Sequence, residues 1–180
     1  MNLPTWLGRW FKSTPTPHTD PRRPKIIMPQ DCLLALTEAL RPSLERRHEG
    51  IAYLLGRTDG TVTLATTVFA PVARTTAGSF HVDARSMAIC MQAAGAHELQ
   101  IVAQVHTHPG QAYHSDGDVD GARIRYPGYA SIVVPNYGVH LPQLDGIAAY
   151  LWRAGDGWQT LNTDDLIIIP GAGPWTRTNG

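Results

Sequence analysis

The sequence is poor in cysteine and has no excess of either charge. Two cysteines among 180 residues cannot build a disulfide framework or a zinc site of the CxxC…CxxC kind. The 15 basic and 15 acidic side chains give a formal net charge of zero, so the chain has no long-range attraction to phosphate backbones or anionic lipid. These shortages argue against a disulfide-rich secreted scaffold and against a nucleic-acid or membrane partner.

Long apolar runs are also missing. Buried-looking runs such as 132–134 and 166–169 are far shorter than the ~20 residues that span a bilayer. Near the N-terminus, prolines, glycines and arginines interrupt the apolar residues, so no continuous signal-peptide core follows. We therefore expect a cytoplasmic protein whose two thiols, Cys32 and Cys90, remain reduced.

Apolar residues make up 43% of the chain, which is enough to form one domain with a hydrophobic core. Residues 1–25 are predicted to be an N-terminal arm and a proline-rich linker, 26–170 the domain, and 171–180 a C-terminal tail. The arm would be a short amphipathic helix that packs on the domain, frays, or binds a partner. Its apolar face comprises Leu3, Trp6, Leu7, Trp10 and Phe11.

Two helices are predicted within the domain. The first runs from about residue 31 into the forties, with Asp31 as its N-cap and a break near Pro42. The second covers 83–97, with Cys90 buried in it as an inert thiol. The residues expected on the buried side of the second helix are Met87, Ala88, Met91 and Ala94.

Strand patterns alternate with these helices. A hairpin turn at 58–60 joins two strand-like runs, and a buried-type strand ends at His106. The predicted strands are 51–57, 61–70, 99–106, 129–135 and 146–153. This alternation predicts an α/β domain, in which one mixed central sheet is packed by two or three helices. Trp152 and Trp158, in the late strands, are expected in the core.

The most informative residues are two histidines at the end of the 99–106 strand. Residues i and i+2 of a strand point to the same side, so His106 and His108 can present two imidazoles to one metal ion. A third ligand would make a catalytic site. The carboxylates and hydroxyl that follow are Ser115, Asp116, Asp118 and Asp120. The HxHxDH, HExxH and PCxxC patterns of other zinc enzymes are absent.

Three separated elements resemble one known family. HTHP at 106–109 and SDGD at 115–118 are similar to the JAMM motif of the MPN+ (JAB-domain) metalloproteases. Far upstream, EGIAYLLG at 49–56 reproduces the glutamate, leucine and final glycine of the family's first strand. The resemblance covers 27–160 and is nearest to prokaryotic JAB proteins found beside ubiquitin-like conjugation enzymes. It implies the JAB/MPN fold, a three-layer, cytidine-deaminase-like architecture.

The chain departs from the family pattern at two places. Six residues separate His108 from Ser115, where the family usually has seven, and Ala52 stands where glycine is common. The Ser-x-x-Asp spacing still favours Asp118 as third ligand. The alternatives that stay open are Asp120, Asp116 and His114.

The resemblance implies a role for each residue of the motif. One zinc ion per chain would be held by His106, His108 and Asp118. Glu49 would be the general base, and Ser115 would donate its hydroxyl to the oxyanion. Without the resemblance, Glu49 would be interpreted as a solvent-facing residue at a strand start and Ser115 as a helix N-cap. The histidines interpreted as surface or structural residues are His18, His48, His81, His97 and His140.

The implied substrate is the C-terminal tail of a ubiquitin-like protein, released from a conjugate or trimmed from a precursor. An extended tail could add to a sheet edge beside the zinc, near the predicted loops 71–79 and 109–128. E1-like and E2-like enzymes are possible further partners. Two other functions stay open: a catalytically silent MPN scaffold and a JAB-like protein associated with DNA repair.

Overall fold

The computed structural model describes residues 23–171. The predicted arm and most of the linker and tail lie outside the described residues. The strands are β1 (Lys25–Pro29), β2 (Ile51–Thr58), β3 (Val62–Phe69), β4 (Ala73–Thr76), β5 (Ser79–Val82), β6 (Gln100–Thr107), β7 (Ala130–Val134), β8 (Ala148–Arg153), β9 (Gly157–Leu161) and β10 (Leu166–Ile169). The helices are α1 (Gln30–Arg46), α2 (Ala84–Ala96) and α3 (Asp116–Gly121).

One mixed sheet organises the domain. Its strand order is β10-β1-β3-β2-β6-β7-β8-β9, and β4 and β5 form a separate hairpin. Strand β2 is antiparallel to β3 and β6, whereas β6 and β7 are parallel. The predicted α/β class with a mixed central sheet is confirmed.

Helix α1 covers one face of the sheet with an apolar stripe. Its buried residues at helical spacing include Leu33, Leu36 and Leu40. The predicted N-cap is wrong: the cap position is Pro29, which has no side-chain hydrogen bond, and Asp31 lies in the first turn. A carboxylate in the first turn is favourable because it faces the positive end of the helix dipole.

The predicted break at Pro42 is also wrong, because α1 continues through it to Arg46. The neighbours Leu40 and Ser43 are both buried. Their packing against the sheet keeps this part of the chain helical, although proline removes one backbone hydrogen bond.

Helix α2 packs on the opposite face of the sheet, and the predicted buried side is right for Ala94 and wrong for Ala88 and Met91. Asp83 caps the helix by accepting a hydrogen bond from the Ser86 backbone nitrogen at 2.7 Å. The buried residues are Ser86, Cys90 and Ala94, whereas Met91 is 63% exposed. Small side chains face the sheet because large ones, Tyr53 and Leu55 from β2 and Tyr129 just before β7, already fill this layer.

The segment predicted as a loop at 71–79 contains β4 and the start of β5. This hairpin lies beside the start of β2, where the Glu49 backbone nitrogen donates to the Thr76 carbonyl at 2.8 Å. Trp152 and Trp158 are half-buried and pack edge to face, with ring centroids 5.4 Å apart. No helix among residues 23–171 is long and apolar enough to cross a membrane.

Candidate metal centre

The two motif histidines come from the middle of the sheet. Strand β6 lies between β2 and β7, and all its residues except the first are buried. Its alternation turns His106 and His108 to the α2 face, with ring centroids 5.1 Å apart. Past the strand end, the His108 backbone nitrogen still donates to the Val134 carbonyl at 2.9 Å. Both imidazoles are therefore held by a rigid backbone.

The first turn of α3 fixes the carboxylate of Asp118. Ser115 is the N-cap and accepts a hydrogen bond at its Oγ from the Asp118 backbone nitrogen at 3.2 Å. In return, Asp118 Oδ2 accepts from the Ser115 backbone nitrogen at 2.8 Å and from its hydroxyl at 2.7 Å. This reciprocal capping box orients the carboxylate before any ligand binds.

Three ligand-type side chains converge at this point. His106 Nε2 lies 3.0 Å from Asp118 Oδ1, and His108 Nε2 lies 3.3 Å from Asp118 Oδ2. The donor atoms all lie within 4.8 Å of one another, and the three side chains are buried. Donors about 2 Å from a tetrahedral ion are separated by roughly 3.3 Å, so this arrangement is close to that of a metal site.

The hydrogen bonding of His106 gives an independent test of this fit. The residue is 0% exposed, and neither ring nitrogen makes a hydrogen bond among the described residues, although Nε2 is close to Asp118. A buried polar atom without a partner is costly. A metal ion at Nε2 would satisfy it, so the residues present fit a metal.

The electrostatics of the cluster favour an anionic third ligand. Burial by itself raises the pKa of Asp118, but the two imidazoles and the Ser115 hydroxyl outweigh it and hold the pKa below its usual range. The hydrogen bond and charge of Asp118 raise the pKa of His108, against the effect of burial. The carboxylate is therefore ionised, as a ligand must be.

Glu49 lies beside the cluster because of strand register. Ile51 pairs with His106 in the antiparallel β2–β6 ladder, so the same register places Glu49 opposite His108. Beyond the ladder, the Gly50 backbone nitrogen donates to Thr107 Oγ1 at 2.7 Å, and the Thr107 nitrogen donates to the Gly50 carbonyl at 3.0 Å. These bonds continue the pairing up to the glutamate.

The carboxyl group of Glu49 is not at the surface. The residue is 7% exposed, and burial raises its pKa, an effect opposed by His108 and increased by Asp118. The interpretation as a solvent-facing strand-start glutamate is therefore wrong. A raised pKa suits a group that must take up a proton near neutral pH.

Gly50 lets the chain pass close to α1 at this position. A Cβ atom there would lie 2.9 Å from Leu40 Cδ2 and 3.1 Å from Ser43 Cβ. Helix α1, on the far side of the sheet, therefore limits how the neighbouring Glu49 can be placed.

A cavity of about 630 Å³ opens in front of the cluster. Glu49, His108 and Asp118 lie in its wall, and Phe80 and His81 of strand β5 form another part of the lining. The Phe80 ring is 5.3 Å from the His106 ring, centroid to centroid. A ligand bound in the cavity would thus meet His108, the glutamate and the hairpin together.

The other candidates for the third ligand lie differently. Asp116 is exposed, and His114 turns to Ser131 instead, with 3.0 Å between its Nε2 and the serine Oγ. The side chain of Asp120 lies outside the described part of the chain. Of the remaining histidines, His81, His97 and His140 are exposed, His48 is half-buried, and His18 lies before the described residues.

Several residues around the site carry no sequence signal of their own. Phe80 directly follows the segment 71–79 that was predicted as a loop, and Tyr113 packs edge-on against His108 at 5.1 Å between centroids. The orientation of Thr107 could have been predicted from the sequence. It lies between His106 and His108, so its side chain points to the opposite face of the strand. There its hydroxyl accepts the hydrogen bond from Gly50.

The fold and the His–His–Asp cluster define an α/β domain with a candidate metal centre. A family model described as prokaryotic homologs of the JAB domain matches residues 33–142. The chain therefore belongs to this family of prokaryotic JAB-domain proteins.

Known proteins that are similar to this chain include one probable metalloprotease and one solved structure. The "Probable metalloprotease y4jG" of Sinorhizobium fredii (strain NBRC 101917 / NGR234) is 31% identical over 144 residues, which cover 74% of this chain and 85% of that protein. The solution structure of protein DSY2949 from Desulfitobacterium hafniense is similar over 81% of this chain and 92% of that chain, with a TM-score of 0.60. The sequence identity is 18%, so this similarity shows the fold alone. Together, the family, the relative and the ligand cluster indicate a metal-dependent peptidase.

Proposed function

We propose that this protein is a zinc-dependent peptidase that cleaves the isopeptide or peptide bond after the C-terminal tail of a ubiquitin-like protein. One observation carries the proposal. A buried His–His–Asp cluster and a buried glutamate meet at the wall of the same cavity. The resemblance to JAMM proteases and the similarity to a probable metalloprotease support the same reaction class.

Zinc is the metal that the donor set favours. Two imidazole nitrogens and one carboxylate oxygen leave a fourth position of a tetrahedral ion for water or substrate, which is the pattern of catalytic zinc sites. The ligands would be His106, His108 and Asp118. When bound, zinc lowers the pKa of a coordinated water toward ~7 and polarises the scissile carbonyl.

Glu49 would move the proton. Its carboxylate oxygens would accept a proton from the attacking water and return it to the departing amine nitrogen. Burial raises the pKa of the Glu49 carboxyl group. Its affinity for a proton is therefore closer to that of the water and the amine with which it would exchange the proton. Its backbone bond to Thr76 ties it to β4, and the Gly50–Thr107 pair holds it beside β6.

Ser115 has two possible tasks, and the structure describes the geometry of one. Its hydroxyl now donates to Asp118 Oδ2, which orients the carboxylate. To stabilise an oxyanion, the same hydroxyl would have to rotate toward the cavity, whose lining includes this residue. We propose that Ser115 performs both tasks in turn.

The hairpin offers a place for an extended tail. Residues of β5 line the cavity, whereas the Thr76 carbonyl of β4 is already paired with Glu49. A substrate strand would therefore add along the β5 side, where backbone hydrogen bonds supply affinity. We further propose that E1-like and E2-like enzymes act on the same ubiquitin-like protein in the cytoplasm.

Replacing Glu49 tests the proposed function directly. Glu49→Gln keeps the shape and removes the proton-accepting charge, so cleavage of a ubiquitin-like protein with a C-terminal extension should fall by ~10²-fold or more. Bound zinc, measured by elemental analysis, should stay at the wild-type level. Glu98→Gln is the matched control, because that side chain is 88% exposed and should leave cleavage unchanged.

Two results would contradict the proposal. Unchanged cleavage by zinc-loaded Glu49→Gln would remove the glutamate from the mechanism. Wild-type protein that holds zinc and cleaves no ubiquitin-like fusion, including one encoded beside its gene, would favour a silent scaffold.

A further inference from the structure

We propose that His114 is a positioning residue that fixes the third metal ligand by anchoring the 109–115 loop to the central sheet. The inference rests on the proposed metal site for its effect on zinc. The anchoring itself is a property of the metal-free chain.

The His114 ring occupies a socket formed by strands β7, β8 and β9. It stacks on Tyr150 with centroids 4.3 Å apart and planes 9° from parallel, and it meets Trp158 edge-on at 5.0 Å and 90°. Its Nε2 lies 3.0 Å from Ser131 Oγ, and its backbone nitrogen donates to the Tyr150 hydroxyl at 3.1 Å. Such a set of contacts holds one side chain in one orientation.

The socket is tied to the strand that carries the ligand histidines. Gln104 of β6 pairs with Ser131, which in turn pairs with Tyr150. The Gln104 amide donates to Ser131 Oγ at 3.1 Å. Because Gln104 precedes His106 by two residues, it lies on the same face of β6. The socket and the first ligand thus share one rigid ladder.

The link from the socket to Asp118 passes through one residue. Ser115 follows His114 directly, and both its backbone nitrogen and its hydroxyl donate to Asp118 Oδ2. At its other end the loop is fixed by backbone bonds, since the Asn136 nitrogen donates to the Gly110 carbonyl at 2.9 Å. Tyr113 is 57% exposed, so His114 supplies the side-chain anchor next to the N-cap.

Zinc affinity is the readout that separates positioning from simple stability. His114→Ala removes the stacking and the contact with Ser131, and we expect its zinc dissociation constant, from competition with a chromophoric chelator, to rise about 10- to 100-fold, the scale of outer contacts that orient metal ligands. His114→Phe keeps an aromatic ring and loses the polar contact, so its loss should be smaller. His97→Ala, an exposed histidine in the same chain, should keep the wild-type value.

Amide hydrogen exchange of 113–118 in metal-free protein tests the anchor without zinc. Exchange should be faster in His114→Ala than in the wild type and unchanged in His97→Ala. If the wild type binds no zinc, the proposed function fails, and exchange alone decides the anchoring. If His114→Ala does not fold, His114→Phe is measured in its place.

The inference is overturned by a folded His114 variant with wild-type zinc affinity and wild-type exchange. A lower melting temperature with both quantities unchanged would likewise show that the socket only stabilises the fold.

Discussion

The two faces of the central sheet have different tasks. The face under α1 is apolar and closely packed. Leu54 of β2 belongs to the same buried cluster as Leu36 and Leu40 of the helix. The face under α2 becomes polar toward the cavity, where His106, His108 and other buried polar groups lie. Alternation along β6 is what separates them, because neighbouring residues point to opposite faces. One face stabilises the strands, and the other uses their fixed positions for chemistry.

The largest expected effect is on the polar face. A protein with both His106→Ala and His108→Ala should lose essentially all bound zinc, because one carboxylate cannot hold the ion alone. Elemental analysis of the purified protein measures this. Full zinc content in the double mutant would place the metal elsewhere.

The next effect compares two carboxylates of one helix. Asp118→Asn should weaken zinc binding strongly, since the change removes the charge of a ligand that touches both imidazoles. Asp116→Asn is its control, because that side chain is exposed at the start of the same helix. Competition with a chelator gives both affinities. Equal losses in the two variants would contradict the assignment of Asp118.

The apolar face should respond to a core truncation without a change in chemistry. Leu36→Ala should lower the free energy of unfolding by about 2–5 kcal/mol, because it leaves a cavity under α1. Urea denaturation measures that loss. The zinc affinity of the folded variant should remain near that of the wild type. A large fall in affinity would show that the two faces are not separable.

The smallest effect concerns the residue where the two faces meet. Gly50→Ala should cost about 1–3 kcal/mol of stability, because the added methyl group overlaps α1. Cleavage should fall as well, since Glu49 must shift with it. Gly95→Ala is a matched control, since nothing lies within 4 Å of a Cβ there and alanine favours the helix. Wild-type stability and cleavage in Gly50→Ala would show that this glycine is not constrained by α1.

The sequence predicted the elements whose partners are local or whose motif is specific. The β2–β3 hairpin, strand β6 and the cluster of His106, His108 and Asp118 all follow from short patterns. Strands β1 and β10 were not predicted, because each is short and its pairing joins segments about 140 residues apart, Ile26 with Leu166. The sequence placed Ala88 and Met91 on the buried side of α2, but both are exposed, because the sheet already supplies large side chains to this layer.

Contacts between strands that are distant in the sequence also explain why the His114 socket has no sequence signature. Its members Ser131, Tyr150 and Trp158 come from three different strands, and only their register brings them together. A histidine beside a serine in a polar loop suggests a surface residue. The contacts with the sheet make it a half-buried one.

The capping box of α3 couples local folding to metal supply. The helix has six residues, so it gains little stability from its own backbone, and Asp118 serves both its first turn and the ion. Zinc binding and the folding of this turn are linked. The free energy by which the folded turn favours zinc binding is therefore also the free energy by which bound zinc would stabilise the turn. The free zinc concentration would therefore set how often 115–121 opens, and with it how readily proteases reach this side of the cavity.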